Sequence, residues 1–458
     1  MAVLNQKMID YDAGGTLIHL RYRAEKLKRG TERDVQLYIP STVRENNPGS
    51  TVGVLVNFDG MLECAPSVVE KLMGERVMPP TVIVGITAAS YPASLPGGTD
   101  RSVRSPEYDG LGSGLPDFII EELLPALSGF LPAGICFSRD PDRNMLCGGS
   151  SGGIAAWNGC WERNDFFHRC YTSSPTFSCF RGGDCFPFLI RKYETKKIRV
   201  FMTTGTNDMR NSAGDWYLED LSAREALEFA GYEYEFITYQ DGPHCAGYGN
   251  GEVFEQALRY LWAVPRVSIR HFAPRVADIF DLNSGWERCG ESMPATPDCP
   301  YEFEGENIYL QGKMVASLPG KVSALALSSD RWRLYAATTE RRFVYAFAIL
   351  PDGSLADGYP HAHLHIKDDV CKVGASGICI DSGDRLYAAT ELGIQTISQQ
   401  GENKTILPLP GHQGIEGVAF HPQNGMLYVQ SADASVYRRQ VLTRRPDGTV
   451  QPPDTKPF

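Results

Sequence analysis

Gly148-Gly-Ser-Ser-Gly-Gly153 is the stretch on which the fold turns. Asn144-Met-Leu-Cys147 before it reads as a short buried strand, and Ile154-Ala-Ala-Trp157 after it reads as the start of an apolar helix. A serine on a sharp strand-to-helix turn stands in a strained conformation with its hydroxyl held out at the sheet edge. Glycines flank it because strand and helix backbones crowd there. An isolated Gly-Ser run is more often plain loop. The strand before it and the helix after it decide for the sharper reading. Both Gly148-Gly-Ser150-Ser-Gly152 and Gly149-Ser-Ser151-Gly-Gly153 satisfy the G-x-S-x-G spacing. Ser150 is preferred, because the other register moves the turn one residue later and leaves no small residue after the motif.

Outward from this turn, strands and helices alternate. Val52 to Asn57, Thr81 to Thr87, Ile198 to Met202 and Tyr234 to Thr238 read as strands. Asp117 to Leu127, Ser222 to Ala230 and Val253 to Trp262 read as helices, the second stopped by Gly231. Such alternation predicts an α/β domain over residues 1–265, a mostly parallel sheet with helices on both faces. Residues 266–300 break the rhythm and read as linker. From 301 to 445 the texture is all-β. A short apolar strand followed by Leu-Tyr recurs at Leu334-Tyr335, Leu386-Tyr387 and Leu427-Tyr428, spaced by 52 and 41 residues. Those periods approach one four-stranded propeller blade. Three units are fewer than a closed ring usually has, so the half reads either as an incomplete ring, which a homodimer could close, or as a ring whose early blades have drifted beyond reading. Residues 446–458, rich in proline and charge, read as a frayed tail.

A serine needs a base, and the base needs an orienting acid. In this kind of fold they follow later in the chain, as Asp and then His. The strand at Ile198 runs into Thr203-Thr-Gly-Thr-Asn-Asp208, and the strand at Tyr234 into Tyr239-Gln-Asp-Gly-Pro-His244. Asp208 and His244 are therefore the expected acid and base, with Asp215 and Glu219 as alternatives for the acid. His19 and His168 are the other histidines before residue 265, and His168 reads as a packing or surface residue. The oxyanion would meet the N–H groups of Ser151, after the nucleophile, and Met61, in the turn Phe58-Asp-Gly-Met61. Asp59 in that turn reads as a turn-forming carboxylate. In the second half, His361-Ala-His-Leu-His365 with Asp368 and Asp369 has a metal-like look, but a solvated strand face is the more ordinary origin of H-x-H-x-H.

Composition bounds the partners. The 458 residues carry a formal net charge of −11, which argues against a protein built to grip nucleic acid. No segment approaches the ~20 apolar residues of a membrane span, and no secretory leader is legible, so the chain as written reads as cytoplasmic. Removal of a leader would make it periplasmic or secreted. Twelve cysteines form no clear grid. Cys147 and Cys379 read as core residues, and Cys179 with Cys185 or Cys289 with Cys299 could bridge in an oxidising compartment.

The first half resembles the enterochelin-esterase-like branch of the esterase D group of α/β-hydrolases. The resemblance rests on Thr31 to Pro40, Phe58-Asp-Gly60, Arg104 to Asp109, Gly148 to Gly153, Arg181-Gly-Gly183, Gly205 to Asp208 and Asp241-Gly-Pro-His244, in order over about 245 residues. It implies a serine carboxylic-ester hydrolase with Ser150 as nucleophile and Met61 as oxyanion donor, needing no metal or organic cofactor. Pro243 departs from the family, which often has a second glycine before the histidine. The implied substrate is a carbohydrate-linked acyl ester (acetyl or feruloyl), or alternatively a siderophore trilactone of the enterochelin type. Arg101, Arg104 and Arg181 are the basic residues that could converge on it, with Arg104 and Arg181 the substrate-binding candidates. The second half resembles the C-terminal part of a gluconolactonase or senescence-marker-protein propeller, through Leu325 to Ser328, Leu334 to Thr338, Pro351 to Leu355, Gly377 to Asp381, Leu386 to Gly393 and Val418 to Phe420. That family's metal-binding Asn and Asp align with Ser323 and Ser376, neutral residues that suit a hard cation poorly. Lactonase activity is therefore not expected. A remaining alternative is a non-catalytic binding or scaffold protein using the propeller face.

Overall fold

The computed structural model describes residues 3–10, 14–44, 49–95, 97–263, 279–280, 284–295, 298–366, 373–409, 414–444 and 450–451. The chain divides into two compact units, Met1–Arg191 with Lys196–Arg270, and Lys192–Thr195 with His271–Phe458.

The first unit is organised by a 12-stranded mixed sheet. Its long strands are β1 (Val3–Asp10), β2 (Thr16–Arg23), β3 (Glu32–Ile39), β4 (Thr51–Phe58), β5 (Thr81–Ile86), β6 (Met145–Gly149), β7 (Arg169–Ser173), β8 (Arg199–Gly205) and β9 (Glu233–Tyr239). They lie in the order β1-β2-β3-β5-β4-β6-β7-β8-β9. The β1–β2, β2–β3 and β3–β5 pairs are antiparallel, and every pair from β5–β4 to β8–β9 is parallel. Alternate side chains of β6 go to opposite layers. Met145 and Cys147 join the core formed by α1 (Ala65–Gly74) and α5 (Gly251–Trp262). Leu146 faces the other way, against α3 (Ser151–Glu162), where a Cβ at Gly159 would lie 2.3 Å from its Cδ1. Two covered faces explain why β4 and β5 read as near-continuous apolar runs. The arrangement fits the α/β-hydrolase fold.

The expected helix over residues 117–127 is not one regular helix. It consists of Gly114–Phe118, a π-helical turn at Ile119–Leu123, and Leu124–Leu127. Pro125 supplies no N–H for an ordinary helical bond, so the backbone reorganises around it. Buried Glu122 accepts the N–H groups of Glu25 and Leu27, each at 2.6 Å. The helix expected at Ser222 begins earlier, at Trp216, because Asp215 caps it by accepting from Leu218 N; it is α4 (Trp216–Phe229).

The second unit is built of antiparallel sheets. Three successive strands, β11 (Tyr301–Glu304), β12 (Asn307–Leu310) and β13 (Lys313–Ser317), form one. The next contains β14 (Val322–Leu327), β15 (Arg333–Thr338), β16 (Phe343–Ala348) and β17 (Tyr359–His363). A third contains β18 (Gly377–Ile380), β19 (Leu386–Thr390), β20 (Gly393–Ile397) and β21 (Asn403–Leu407). In the fourth, β22 (Ile415–His421), β23 (Met426–Ser431) and β24 (Val436–Gln440) are joined by β10 (Glu287–Cys289). Thus Glu287–Cys289, expected in the linker, is a strand paired with β24. Residues 264–278 of the expected domain end and linker, and 446–449 and 452–458 of the expected tail, lie outside the described residues.

The serines at the aligned metal positions stitch these sheets together. Ser323 Oγ donates to Ala375 O at 2.6 Å, and Ser376 Oγ donates to Ile415 O at 2.6 Å. Cys179, Cys289 and Cys299 are free cysteines, so neither of the two bridges the spacing allowed is present.

The β6–α3 junction makes a stability prediction. A Cβ at Gly148 would lie 2.1 Å from Gly152 O, which belongs to backbone and cannot step aside. Gly148→Ala should therefore destabilise the first unit by about 1–3 kcal/mol or more. Gly74→Ala is the control, since its Cβ meets nothing within 4 Å. Thermal unfolding should show a clear drop in Tm for the first variant and none for the second.

Candidate active site

The order of the parallel strands puts a switch point beside β4. The chain leaves β4 for β5 on one side, and β6 pairs on the other. Ligand sites of open α/β sheets lie beyond the carboxyl ends of strands at such a point. Here those ends are the turn Asp59-Gly-Met61 after β4 and Ser150 after β6.

Ser150 has φ 58° and ψ −125°, a conformation that L residues adopt only under constraint. Two features impose it. Gly148 lets the backbone of α3 approach to within contact, and Gly153 packs where a Cβ would meet Thr172 Oγ1 at 2.7 Å. The turn is further pinned by Ser150 N donating to Ser173 O at 2.9 Å. Ser151 is different in kind. It opens α3, is 7% exposed, and its Oγ accepts from Arg104 Nη1 at 3.0 Å. The strained position between strand and helix is thus Ser150 and not Ser151.

From the elbow a run of hydrogen bonds leads across the strand ends to the histidine. Ser174, just past β7 with φ 43°, donates its N–H to Thr203 O at 2.8 Å and its Oγ–H to Asp208 Oδ2 at 2.5 Å. Ser174 Oγ also accepts from Cys245 N at 2.9 Å. Asp208 Oδ1 accepts from Met209 N at 2.6 Å and contacts His244 Nδ1 at 2.5 Å. The Asp208 side chain is fully buried and that of His244 is 26% exposed. Asp215 and Glu219 are not in this arrangement: Asp215 caps α4 and pairs with Arg210 at 2.8 Å, and no ion pair or hydrogen bond joins Glu219 to His244 among the described residues. His168 is buried and bonded to Asp142 at 2.9 Å.

The electrostatics follow from this packing. Burial by itself would raise the Asp208 carboxyl, but the bonds from His244, Ser174 and the Met209 N–H outweigh it and hold Asp208 below its ordinary value. Burial would lower His244, yet the Asp208 bond, with Cys245 beside it, moves the imidazole above its ordinary value of 6.5. Asp220, on α4 and fully buried, is a further acid near the pair; burial pushes its carboxyl well above the ordinary value. None of the described hydrogen bonds joins Ser150 Oγ to His244, and such bonds commonly tighten only when substrate enters.

The expected oxyanion donors fare differently. Ser151 N–H belongs to the first turn of α3, where no helical acceptor exists and the helix dipole favours negative charge. Met61 N–H is already given to Gln36 Oε1 at 2.8 Å, so an oxyanion must displace Gln36 to use it. Arg104 grips Asp59 through Nε and Nη2, at 2.8 and 2.7 Å. Arg181 Nε donates to Ser105 Oγ at 2.9 Å, which brings both expected arginines to α2 (Arg104–Tyr108). Sequence reasoning missed Gln36, Ser174 and Asp220. Only Ser174 left a trace, as a small residue at a strand end before Pro175.

The histidines of the second unit are engaged separately. His361 packs against Tyr335, His363 stacks on Phe343, and His365 Nε2 lies 2.7 Å from Lys192 Nζ. Among the described residues no group of three or more His, Cys, Asp or Glu is placed to hold a metal, and Asp368 and Asp369 lie outside them.

No protein family matches the chain, and no curated protein matches it. Solved structures do. One is an S-formylglutathione hydrolase from Agrobacterium tumefaciens, 15% identical, covering 58% of this chain and 100% of that one with a TM-score of 0.41. Another is the enterochelin esterase from Shigella flexneri, 20% identical, covering 53% of this chain and 57% of that one with a TM-score of 0.38. A gluconolactonase from Xanthomonas campestris is 22% identical and covers 32% of this chain and 47% of that one, with a TM-score of 0.26. At these identities and scores the likenesses decide neither activity nor substrate.

The raised imidazole has a kinetic consequence. A general base must be neutral, so activity is lost as pH falls through the raised value. The acid limb of the pH–rate profile should therefore lie above 6.5. In Asp208→Asn the carboxylate is gone, the limb should move down, and kcat should fall by about 10⁴-fold. A profile whose acid limb is unmoved by this substitution would remove Asp208 from the base's environment.

Proposed function

We propose that the first unit is a serine carboxylic-ester hydrolase working through an acyl-enzyme. The observation that carries this reading is the strained Ser150 at the strand–helix junction, standing at the same sheet edge as the Asp208–His244 pair. Ser150 Oγ attacks the ester carbonyl while His244 Nε2 takes its proton. The imidazolium, held by Nδ1–H donation to Asp208, then protonates the leaving alcohol. Ser151 N–H receives the oxyanion, joined by Met61 N–H once Gln36 yields. Water, activated by the same histidine, releases the acid and restores Ser150. No step calls on a metal or organic cofactor.

The substrate we infer is a carbohydrate-linked acyl ester of the acetyl or feruloyl type. Charge supports this over a catecholate siderophore trilactone, which is strongly anionic. Arg104 has its charge offset by bidentate pairing with Asp59, and Arg181 is bonded to neutral Ser105. A non-catalytic role would leave the strained elbow and the buried acid–base pair without purpose. The second unit we read as an incomplete propeller of blade-like sheets.

Hydrolysis of short-chain p-nitrophenyl esters tests the proposal. Ser150→Ala should lose turnover almost entirely, by about 10⁶-fold. Ser151→Ala, which removes the hydroxyl bonded to Arg104 and Asp109 but keeps the backbone N–H, should keep a measurable rate. An active Ser150→Ala, or a wild type inactive on every such ester, would overturn the assignment.

A further inference from the structure

The second unit holds an open cleft of about 680 Å³, within the ~300–1,000 Å³ of small-ligand sites. It is formed by the turn before β15, the start of β17, and the turns that carry Asp384 and Gln399. Two large rings border it and remain in water: Trp332 is 55% exposed and Tyr359 45%. Between them the polar groups are fixed in advance. The Arg333 guanidinium lies over the Trp332 ring at 5.2 Å, and its Nη1 donates to Tyr335 OH at 3.2 Å and Gln399 O at 3.3 Å. Asp330 Oδ1 is held by Ser328 Oγ and Trp332 N, and Asp384 by Ser329 N and Oγ.

We propose that this cleft binds a neutral oligosaccharide. A sugar ring has an apolar C–H face and a rim of hydroxyls that both donate and accept. Exposed rings offer the face a flat apolar platform while keeping a polar edge wet. One guanidinium, two carboxylates and the glutamine side chains offer the rim both kinds of partner. Their opposed charges leave no surplus for a phosphate or sulfate, which would want several cations. The polar floor likewise gives no dry surface for a lipid chain. Holding the carboxylates and guanidinium by turn backbone and aromatic stacking lowers the ordering cost of binding. The cleft lies wholly in the second unit, so the inference does not depend on the esterase reading, although a glycan there would suit an enzyme acting on carbohydrate esters.

Calorimetric titration of the full chain with xylohexaose, cellohexaose and mannohexaose tests it. At least one should bind, and Trp332→Ala and Tyr359→Ala should each weaken it by about tenfold or more. Trp332→Phe, which keeps a ring, should bind within about threefold of wild type, separating loss of the platform from loss of folding. Ser150→Ala should bind as wild type does, so a failed esterase assignment leaves this result intact. Absence of binding to all three glycans, or binding indifferent to both alanine substitutions, would overturn the proposal.

Discussion

The junction of β6 with α3 is the constraint on which the rest of the first unit depends. Strand and helix backbones meet where no side chain fits at position 148, and the residue between them is forced into a left-handed conformation. Such a conformation costs on the order of 1–3 kcal/mol and persists only where its surroundings over-determine it. Here the surroundings are the parallel neighbours β4 and β7, which fix β6 from both sides, and the bond from Ser150 N to Ser173 O. The same geometry that strains the serine sets its N-terminal helix dipole toward the place where an oxyanion would form.

The acid–base pair inherits its position from that sheet. Asp208 follows β8 and His244 follows β9; β7, β8 and β9 lie side by side in that order and run parallel, so their loops emerge at one edge. Ser174 then ties the end of β7 to both loops through a single hydroxyl. Burying a carboxylate is costly unless it is bonded, and Asp208 meets that cost with a serine, a backbone N–H and the imidazole. The imidazole is raised as the other half of the same interaction. Position and electrostatics are thus two results of one packing arrangement.

Much of this was legible in the sequence because periodicity and turn chemistry are local. β4, β5, β6, β8 and β9 carry strand patterns in the sequence, and Ser150, Asp208 and His244 each follow one of them, while β7, Arg169-Cys-Tyr-Thr-Ser173, carries no such pattern. What was not legible depends on contacts distant in sequence. Gln36 reaches Met61 from β3, on the far side of β5 from β4, and Arg104 reaches both Asp59 and Ser151. Glu287–Cys289 carries no strand signature of its own; it is a strand because β24 offers it an edge. The helix expected at residues 117–127 is there, but with a π-helical turn at Ile119–Leu123 that its apolar spacing did not announce.

The central claim is that Ser150 Oγ is the nucleophile, and covalent labelling tests it most directly. A fluorophosphonate phosphorylates an activated serine with loss of fluoride, and peptide mapping by mass spectrometry locates the adduct. The account requires one adduct per chain, on Ser150, formed in step with the loss of esterase activity and abolished by Asp208→Asn or His244→Ala. An adduct on Ser151 or elsewhere, or a chain that reacts no faster than its unfolded form, would contradict it.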